Sequence, residues 1–317
     1  MASKRLRFQG TNSAFPFSVR VIGDERSAGG GKFEETVQPI KIIDANTAAE
    51  FWELLSPEKP LFSGKCDLLY RGQADQHWHL TPSILRMEIC TLSDNQVFKE
   101  WVYLHSFVEH CDLIGLSIPN DTPAFREDFL NQNAPAGPAR AFINTSYWPP
   151  PEMYALLALA QHHRVPTRLL DWSTRSYVAA YFAISDALRM IGNSNAPELF
   201  AVWVLDIERQ ALYSNLEVVR VPGSNNANLA AQAGRFTFLK QEGVRAEPFR
   251  GEISLDLYLA EHVLPLPLLK VTLPITEAAA ALRLCSLYGV NGATLFPDYS
   301  GAARATEDAM RTAIRLM

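Results

Sequence analysis

The sequence contains little cysteine, with four residues in a chain of 317 and no Cys-x-x-Cys pair among them. This spacing argues against a disulfide framework and against a thiolate zinc site. We therefore expect the cysteines to be small residues of the core. They are Cys66, Cys90, Cys111 and Cys285.

Long hydrophobic runs are also missing. The apolar stretch at residues 153–160 ends far short of the roughly 20 residues that a membrane-spanning helix needs. The first 13 residues carry positive charge, but no apolar segment follows them, so they do not resemble a secretory signal. We expect no contact with a membrane and a cytoplasmic location.

Neither sign of charge dominates, because 29 Lys and Arg stand against 34 Asp and Glu, for a net charge of −5. The chain as a whole has no basic field for nucleic acid, although a local basic groove remains compatible with these numbers. The sequence also lacks the common dinucleotide, serine hydrolase, zinc protease and calcium signatures. The histidine pairs at residues 77/79 and 162/163 do not have the spacing to hold one metal ion, and we expect no metal site.

The hydrophobic content of 48% is that of a folded protein. We predict a flexible N-terminal segment at residues 1–36, followed by a single domain at 37–317. Within that domain, the proline-rich residues 119–151 are expected to form a long loop that serves as a lid over a cleft. Strands and helices mix without a strict βαβ rhythm, so we predict an α+β fold with a mixed central sheet and flanking helices.

The apolar periodicities predict the individual elements. Strands are expected near residues 37–43, 67–70, 169–172, 199–205, 216–221, 236–239 and 268–273. Helices are expected near residues 49–55, 93–116, 152–163, 174–191, 275–288 and 301–316. We expect Asp44 and Ser93 to cap the first two helices, and Ser173 or Thr174 to cap the fourth.

Five polar motifs interrupt the apolar pattern in a fixed order. They are Tyr70-Arg71-Gly72-Gln73; Trp78-x-Leu80-x-Pro82-Ser83-x-Leu85-Arg86; Gln161-His162-x-x-x-Pro166-Thr167-Arg168-Leu169-Leu170-Asp171-Trp172 with Ala179-Ala180-Tyr181-Phe182-Ala183 after it; Gln232-x-Gly234-x-Phe236; and Leu295-Phe296-Pro297-Asp298-x-x-Gly301. Together they resemble the FRG domain, named for its Phe/Tyr-Arg-Gly motif, over roughly residues 45–310. The sequence departs from the family at Arg164, where Gly is usual, and at Ser173, where Thr is commoner.

The order of these motifs also resembles that of an ADP-ribosyltransferase, and the resemblance implies a related fold with NAD⁺ as substrate. It implies three catalytic residues, Arg71, Ser173 and Gln232. It further implies residues that hold the NAD⁺: Tyr70, Gly72, His162, Thr167, Arg168 and Asp171. An Arg can clamp a pyrophosphate through two hydrogen bonds, while a Ser holds a ribose. The acceptor would be a macromolecule, protein or nucleic acid, and the chain a bacterial toxin or anti-phage defence effector with an antitoxin or defence-system partner.

Several alternatives remain open. The third catalytic position could be a carboxylate, with Glu242, Glu247 and Glu261 as candidates. Arg71 could instead be a buried structural residue paired with Asp171, and Trp172 is expected in the core. At the level of function, the alternative is a non-catalytic FRG module that binds a nucleotide or a protein through Arg71 and Arg168. A phosphodiester enzyme is disfavoured, because the sequence shows no carboxylate cluster for metal ions.

Overall fold

The computed structural model describes residues 18–22, 39–64, 66–131, 133–134, 138–192, 194, 196–213, 215–223, 227–249 and 254–316. Most of the predicted N-terminal segment at 1–36 lies outside these residues. The part of it that is described, Ser18–Ile22, forms a β-strand.

The described residues form eight strands: β1 Ser18–Ile22, β2 Ile40–Asp44, β3 Leu68–Gln73, β4 Leu170–Ser173, β5 Leu199–Asp206, β6 Leu216–Val219, β7 Gly234–Leu239 and β8 Leu268–Pro274. Their helices are α1 Ala48–Leu54, α2 Ser93–Leu113, α3 Pro123–Phe125, α4 Pro138–Ile143, α5 Tyr154–His162, α6 Ser176–Met190, α7 Ala227–Ala231, α8 Leu255–His262, α9 Ala278–Leu287, α10 Gly292–Leu295 and α11 Tyr299–Leu316. Single helical turns of tighter or wider pitch occur at Ser83–Leu85, Arg126–Leu130, Thr145–Tyr147, Pro151–Met153, Gln210–Leu212 and Ile275–Glu277.

The chain divides into two compact units, each built from separate stretches of sequence. The first unit contains the described parts of residues 1–77, 175–208 and 259–317, and the second contains those of 78–174 and 209–258. Both combine a sheet with helices, and the mixed sheet with flanking helices confirms the predicted α+β class.

The first unit has the strand order β1-β2-β8-β5-β3. Its β2 and β8 run parallel, whereas the other neighbouring strands are antiparallel. Helix α6 packs on β3 and β5, α1 packs on β8, and α9 packs against α1 and α6. The apolar side chains of one sheet face and these helices form a continuous core, which fixes the backbone of β3 against α6.

The second unit has three antiparallel strands in the order β4-β7-β6. Its core joins β7 to α2 and α5. The described residues of the segment 119–151 also belong to it. Instead of the predicted long loop they contain short helices, and Phe125, Ala141 and Trp148 are buried in this core. A lid has to open at a low free-energy cost. Opening of this segment would expose its buried side chains to water, so the segment is not suited to that role.

The three predicted helix caps are wrong. Ser93 is itself the first residue of α2, and its hydroxyl donates to the Pro248 carbonyl at 3.2 Å instead of capping the helix. Asp44 lies in β2, where its carboxylate accepts a hydrogen bond from Thr272 Oγ1 at 2.6 Å. Thr47 caps α1 instead, because its hydroxyl accepts from the Glu50 backbone nitrogen. Ser173 is the last residue of β4, and its hydroxyl is committed elsewhere, as described below.

The four cysteines are free thiols. Cys111 and Cys285 lie in the core as predicted, whereas Cys66 and Cys90 are only partly buried, so the prediction is wrong for these two. Burial raises the pKa of the Cys285 thiol to about 12, so that side chain stays neutral and unreactive at pH 7. Among the described residues, none of the helices combines the length and apolar character needed to cross a bilayer.

Candidate functional site

Strand β3 carries the Tyr70-Arg71-Gly72 motif. Because successive residues of a strand point to opposite faces of the sheet, Arg71 lies on one face and its two neighbours on the other. Tyr70 and Gly72 face α6, where Tyr70 is buried in the core of the first unit. A methyl group on Gly72 would lie 2.0 Å from the Ala179 carbonyl oxygen and 2.6 Å from the Ala183 nitrogen. Gly72 is therefore required by the close approach of α6, and the small residues of the Ala179–Ala183 motif supply the other side of that contact.

We expect Gly72→Ala to lower the free energy of unfolding by about 3 kcal/mol or more, since the added methyl meets helix backbone that cannot rotate away. Chemical denaturation of the purified chain measures this. Gly223→Ala is the matched control: its methyl would lie 3.2 Å from the Ala230 methyl, a contact that a small shift relieves. A loss no larger than that of the control would mean that α6 yields easily.

Arg71 lies on the opposite face of β3, in register with Trp203 of β5, which is in turn opposite Lys270 of β8. The Lys270 ammonium lies 4.0 Å from the centre of the Trp203 ring and donates a hydrogen bond to the Gln76 carbonyl at 2.5 Å. The Trp203 indole nitrogen donates to Gln73 Oε1 at 2.6 Å. The first unit thus has a cross-strand row of Arg71, Trp203 and Lys270, with a second cation that no sequence motif indicated.

In the second unit, two of the predicted catalytic residues are neighbours. The Ser173 hydroxyl donates a hydrogen bond to the Gln232 carbonyl oxygen at 2.7 Å. Ser173 is paired with Gly234 across β4 and β7, and the Thr174 nitrogen donates to the Ala233 carbonyl at 3.1 Å. The backbone around the end of β4 therefore brings Ser173 and the turn at Gln232 together.

Strand β4 also carries Asp171 and Trp172, which face opposite ways. The Trp172 side chain is buried, and its indole nitrogen donates to Thr237 Oγ1 at 2.8 Å, which confirms its predicted place in the core. Asp171 is exposed. Because exposed ionic contacts contribute little to stability, we expect Asp171→Asn to lower the free energy of unfolding by under about 1 kcal/mol.

Arg168 forms a buried ion pair whose partner the sequence did not reveal. Its Nε donates to Glu100 Oε2 at 2.6 Å and its Nη2 to Glu100 Oε1 at 2.9 Å. The same carboxylate accepts from the Trp148 indole at 2.9 Å and from Gln96 Nε2 at 3.0 Å. The resemblance implied that Arg168 holds the NAD⁺, whereas in the structure its guanidinium is the partner of Glu100 on α2.

Thr167 joins two of the sequence motifs through hydrogen bonds. Its backbone nitrogen donates to Ser83 Oγ at 3.0 Å, and the Ser83 hydroxyl donates back to the Thr167 carbonyl at 3.1 Å. Its own hydroxyl donates to Gln161 Oε1. These contacts give Ser83, Thr167 and Gln161 a shared structural role within the second unit.

His162 is exposed at the end of α5, and its Nε2 lies 2.9 Å from Asn228 Nδ2. The alternative carboxylates are exposed as well. Glu242 accepts from Asn215 Nδ2 at 3.0 Å, and Glu261 lies on α8. None of these contacts marks a desolvated catalytic group.

The departure from the family pattern at Arg164 has a backbone consequence. Arg164 has a φ of 67°, and it follows α5 in a turn where its nitrogen donates to the Gln161 carbonyl and the Val165 nitrogen donates to the Ala160 carbonyl. This is the helix-ending turn that favours Gly at the left-handed position. A Gly at this position would adopt that backbone conformation without strain.

We expect Arg164→Gly to raise the free energy of unfolding by about 0.5–1 kcal/mol, because relief of the left-handed strain outweighs the entropy that Gly loses. Thermal denaturation measures the change. The neighbouring exposed His163 has a φ of −91°, so His163→Gly should instead destabilise the chain. Equal effects of the two substitutions would contradict this explanation.

A buried carboxylate outside the predicted site orients one of the clustered histidines. Asp256 accepts hydrogen bonds from the Leu80 nitrogen at 2.8 Å and from the Ser254 hydroxyl. His79 Nδ1 lies 2.7 Å from its other oxygen, while the His79 side chain is 58% exposed. Among the described residues, no group of three or more His, Cys, Asp or Glu side chains has the arrangement to hold a metal ion.

Comparison with known families supports the resemblance to the FRG domain. Residues 67–190 match the model of the FRG domain, from just before β3 to the end of α6. The chain carries an FRG domain. The motifs at 232–236 and 295–301 lie outside the matched residues, and no curated protein or solved structure matches the chain.

The FRG match contains both the glycine that α6 requires and the Arg168 ion pair. Several of its motif residues therefore stabilise the fold of one unit or the other. The match also contains Arg71, on the face of β3 away from α6, and the exposed Asp171.

Proposed function

We propose that this FRG protein is an ADP-ribosyltransferase that transfers ADP-ribose from NAD⁺ to a macromolecular acceptor. The observation that carries the proposal is the hydrogen bond from Ser173 to the Gln232 carbonyl, because it makes neighbours of two residues that the motif order assigns to one active centre. The cross-strand row beside Arg71 adds positive charge on its own sheet face.

The reaction breaks the bond between the ribose C1′ and the nicotinamide nitrogen. The nicotinamide leaves as a neutral molecule with the bonding electrons, the acceptor nucleophile bonds to C1′, and its proton passes to water. Positive charge develops on the ribose in the transition state, so dipoles fixed around it lower the barrier.

Each residue then has a defined task. The Arg71 guanidinium grips two oxygens of the pyrophosphate. The Ser173 hydroxyl donates to a carbonyl, so it serves a ribose hydroxyl as an acceptor. The Gln232 amide is neutral and orients the acceptor or the ribose without taking its proton.

The test is release of nicotinamide from NAD⁺ by the purified chain, alone and with a cell extract as a source of acceptors. Gln232→Ala should lower the release, whereas Gln210→Ala, in a turn of the same unit, should leave it unchanged. Absence of nicotinamide with both acceptor sources would reject the transferase.

A non-catalytic module that binds a nucleotide or a protein is the second candidate. It is favoured by the internal use of the motif residues, since Gly72, Thr167 and Arg168 all serve packing or hydrogen bonding within their units. Such a module would bind through Arg71 without consuming NAD⁺, and loss of binding in Arg71→Ala together with no effect of Gln232→Ala would identify it.

A further inference from the structure

Helix α11 of the first unit packs on that unit through its small and polar side. Gly301 and Asp308 are buried, and a methyl group on Gly301 would lie 1.8 Å from the Phe296 carbonyl oxygen. The Asp308 carboxylate accepts hydrogen bonds from two hydroxyls of α6, that of Tyr181 at 2.5 Å and that of Ser185 at 3.0 Å. The side of α11 that faces the core is therefore not its apolar side.

The apolar side chains of α11 point to solvent instead. Tyr299, Met310 and Ile314 recur at helical spacing and are 97%, 58% and 67% exposed. The residues beside them on this outer face of α11 are small and also exposed: Ala302, Ala303, Thr306, Ala309 and Ala313. A surface helix normally turns its apolar face to the core, so this inverted arrangement leaves an apolar face in water and indicates a partner.

The charges beside the outer face fit a second copy of the same helix. Glu307 and Arg311 lie on one flank of the face, about one helical turn apart. The Glu307 carboxylate is 59% exposed and lies 4.0 Å from Arg189 Nε, so a closer cation can still pair with it. When two identical helices pack antiparallel about a two-fold axis, the same flank of each helix meets. With the axis at Ala309, Glu307 of each copy is level with Arg311 of the other.

We propose that the protein forms a homodimer in which α11 of each copy packs antiparallel on α11 of the other. Two symmetric pairs of opposite charge then border the interface, whereas a parallel arrangement would bring Glu307 level with its own copy. A membrane surface fits the face less well, because Glu307 would be repelled by anionic lipids. The dimer goes beyond the proposed function and does not depend on it.

The same register matches large side chains to small ones. Met310 lies beside the two-fold axis and meets its own copy there. Ile314 of each copy lies opposite the space between Ala303 and Thr306 of the other. Small residues let the two helices approach closely, and a large side chain over a small one fills the gap between them.

Sedimentation velocity of the purified full chain between about 1 and 100 μM tests the proposal. The 18 residues of α11 make a helix about 27 Å long, and one pair of such helices is a small interface, so we expect a dimer with a Kd of about 10 μM. Met310→Glu should raise the Kd at least about tenfold, because it places two like charges beside the axis. Leu113→Glu is the matched control: Leu113 ends α2 in the second unit and is 79% exposed, and its exchange should leave the Kd unchanged.

A charge exchange tests the register. Glu307→Arg and Arg311→Glu should each weaken self-association at least about tenfold, since each brings like charges together. A mixture of these two variants should associate as tightly as the wild type, because each cation then faces an anion of the other variant. Circular dichroism confirms that the variants are folded.

Three results would overturn the proposal: a monomer at every concentration, a dimer that Met310→Glu does not weaken, or single charge variants that fail to associate with each other. Vesicles of phosphatidylserine and phosphatidylcholine provide the remaining comparison. Binding of a monomer to these vesicles that Met310→Glu abolishes would assign the outer face of α11 to a membrane, and would also overturn the dimer.

Discussion

Arg71→Lys should abolish nicotinamide release, by at least about 100-fold, while the chain stays folded. Lysine keeps the positive charge but has no planar fork, so it cannot grip two phosphate oxygens at once. The substitution leaves the tight contact between Gly72 and α6 intact, because Arg71 lies on the other face of β3. The measurement is the initial rate of nicotinamide release, with circular dichroism to confirm folding.

Arg189→Lys is the matched control in the same unit. Arg189 is a partly exposed residue of α6, paired with Asp186, and its exchange should leave the rate unchanged. If Arg71→Lys keeps most of the wild-type rate, the bidentate clamp is rejected. If the wild type releases nothing and Arg71→Lys only lowers the melting temperature, Arg71 belongs to the structural framework.

The local part of the fold was predictable from the sequence. The apolar run at 199–205 predicts β5 because a strand buried on both faces is apolar throughout, and β5 spans Leu199–Asp206. The helix at α5 ends before Pro166, as the restriction on the preceding residue requires. Asp298 directly precedes α11, and its carboxylate accepts from the Gly301 nitrogen at 3.0 Å, which caps the helix.

The partners of the buried polar residues were not predictable, since they come from distant parts of the chain. Arg168 and Glu100 are 68 positions apart, and the other charged residues on the helix of Glu100 are exposed or only partly buried. Lys270 was partly predictable, because a lysine within the apolar run LLKVTLP must have a partner. Only the strand register, however, shows that it lies beside Trp203. Ser173 looked like a helix cap because its pairing with β7 was unknown.

The largest effect on stability is expected from Glu100→Gln, which should lower the free energy of unfolding by about 3–5 kcal/mol. The substitution keeps the size of the side chain but removes the charge that balances Arg168, which is 5% exposed. In addition, the NH₂ group of the new Gln side chain would face hydrogen-bond donors that the carboxylate had accepted from, and those donors would lose their acceptor. Chemical denaturation monitored by circular dichroism gives the difference.

A double-mutant cycle then separates the ion pair from general damage to α2. Glu100→Gln combined with Arg168→Met leaves no buried cation to balance, so the double variant should be less destabilised than the sum of the two single variants, with a coupling energy of roughly 1–3 kcal/mol. Glu53→Gln provides the reference for an exposed pair: its carboxylate is 61% exposed beside Lys59, and its loss should cost under about 1 kcal/mol. Two results would contradict this: additive effects of the single substitutions, or a loss from Glu100→Gln no greater than that from Glu53→Gln. Either would show that the charge of Arg168 is not balanced by Glu100. Arg168 would then be a candidate to bind an anionic ligand.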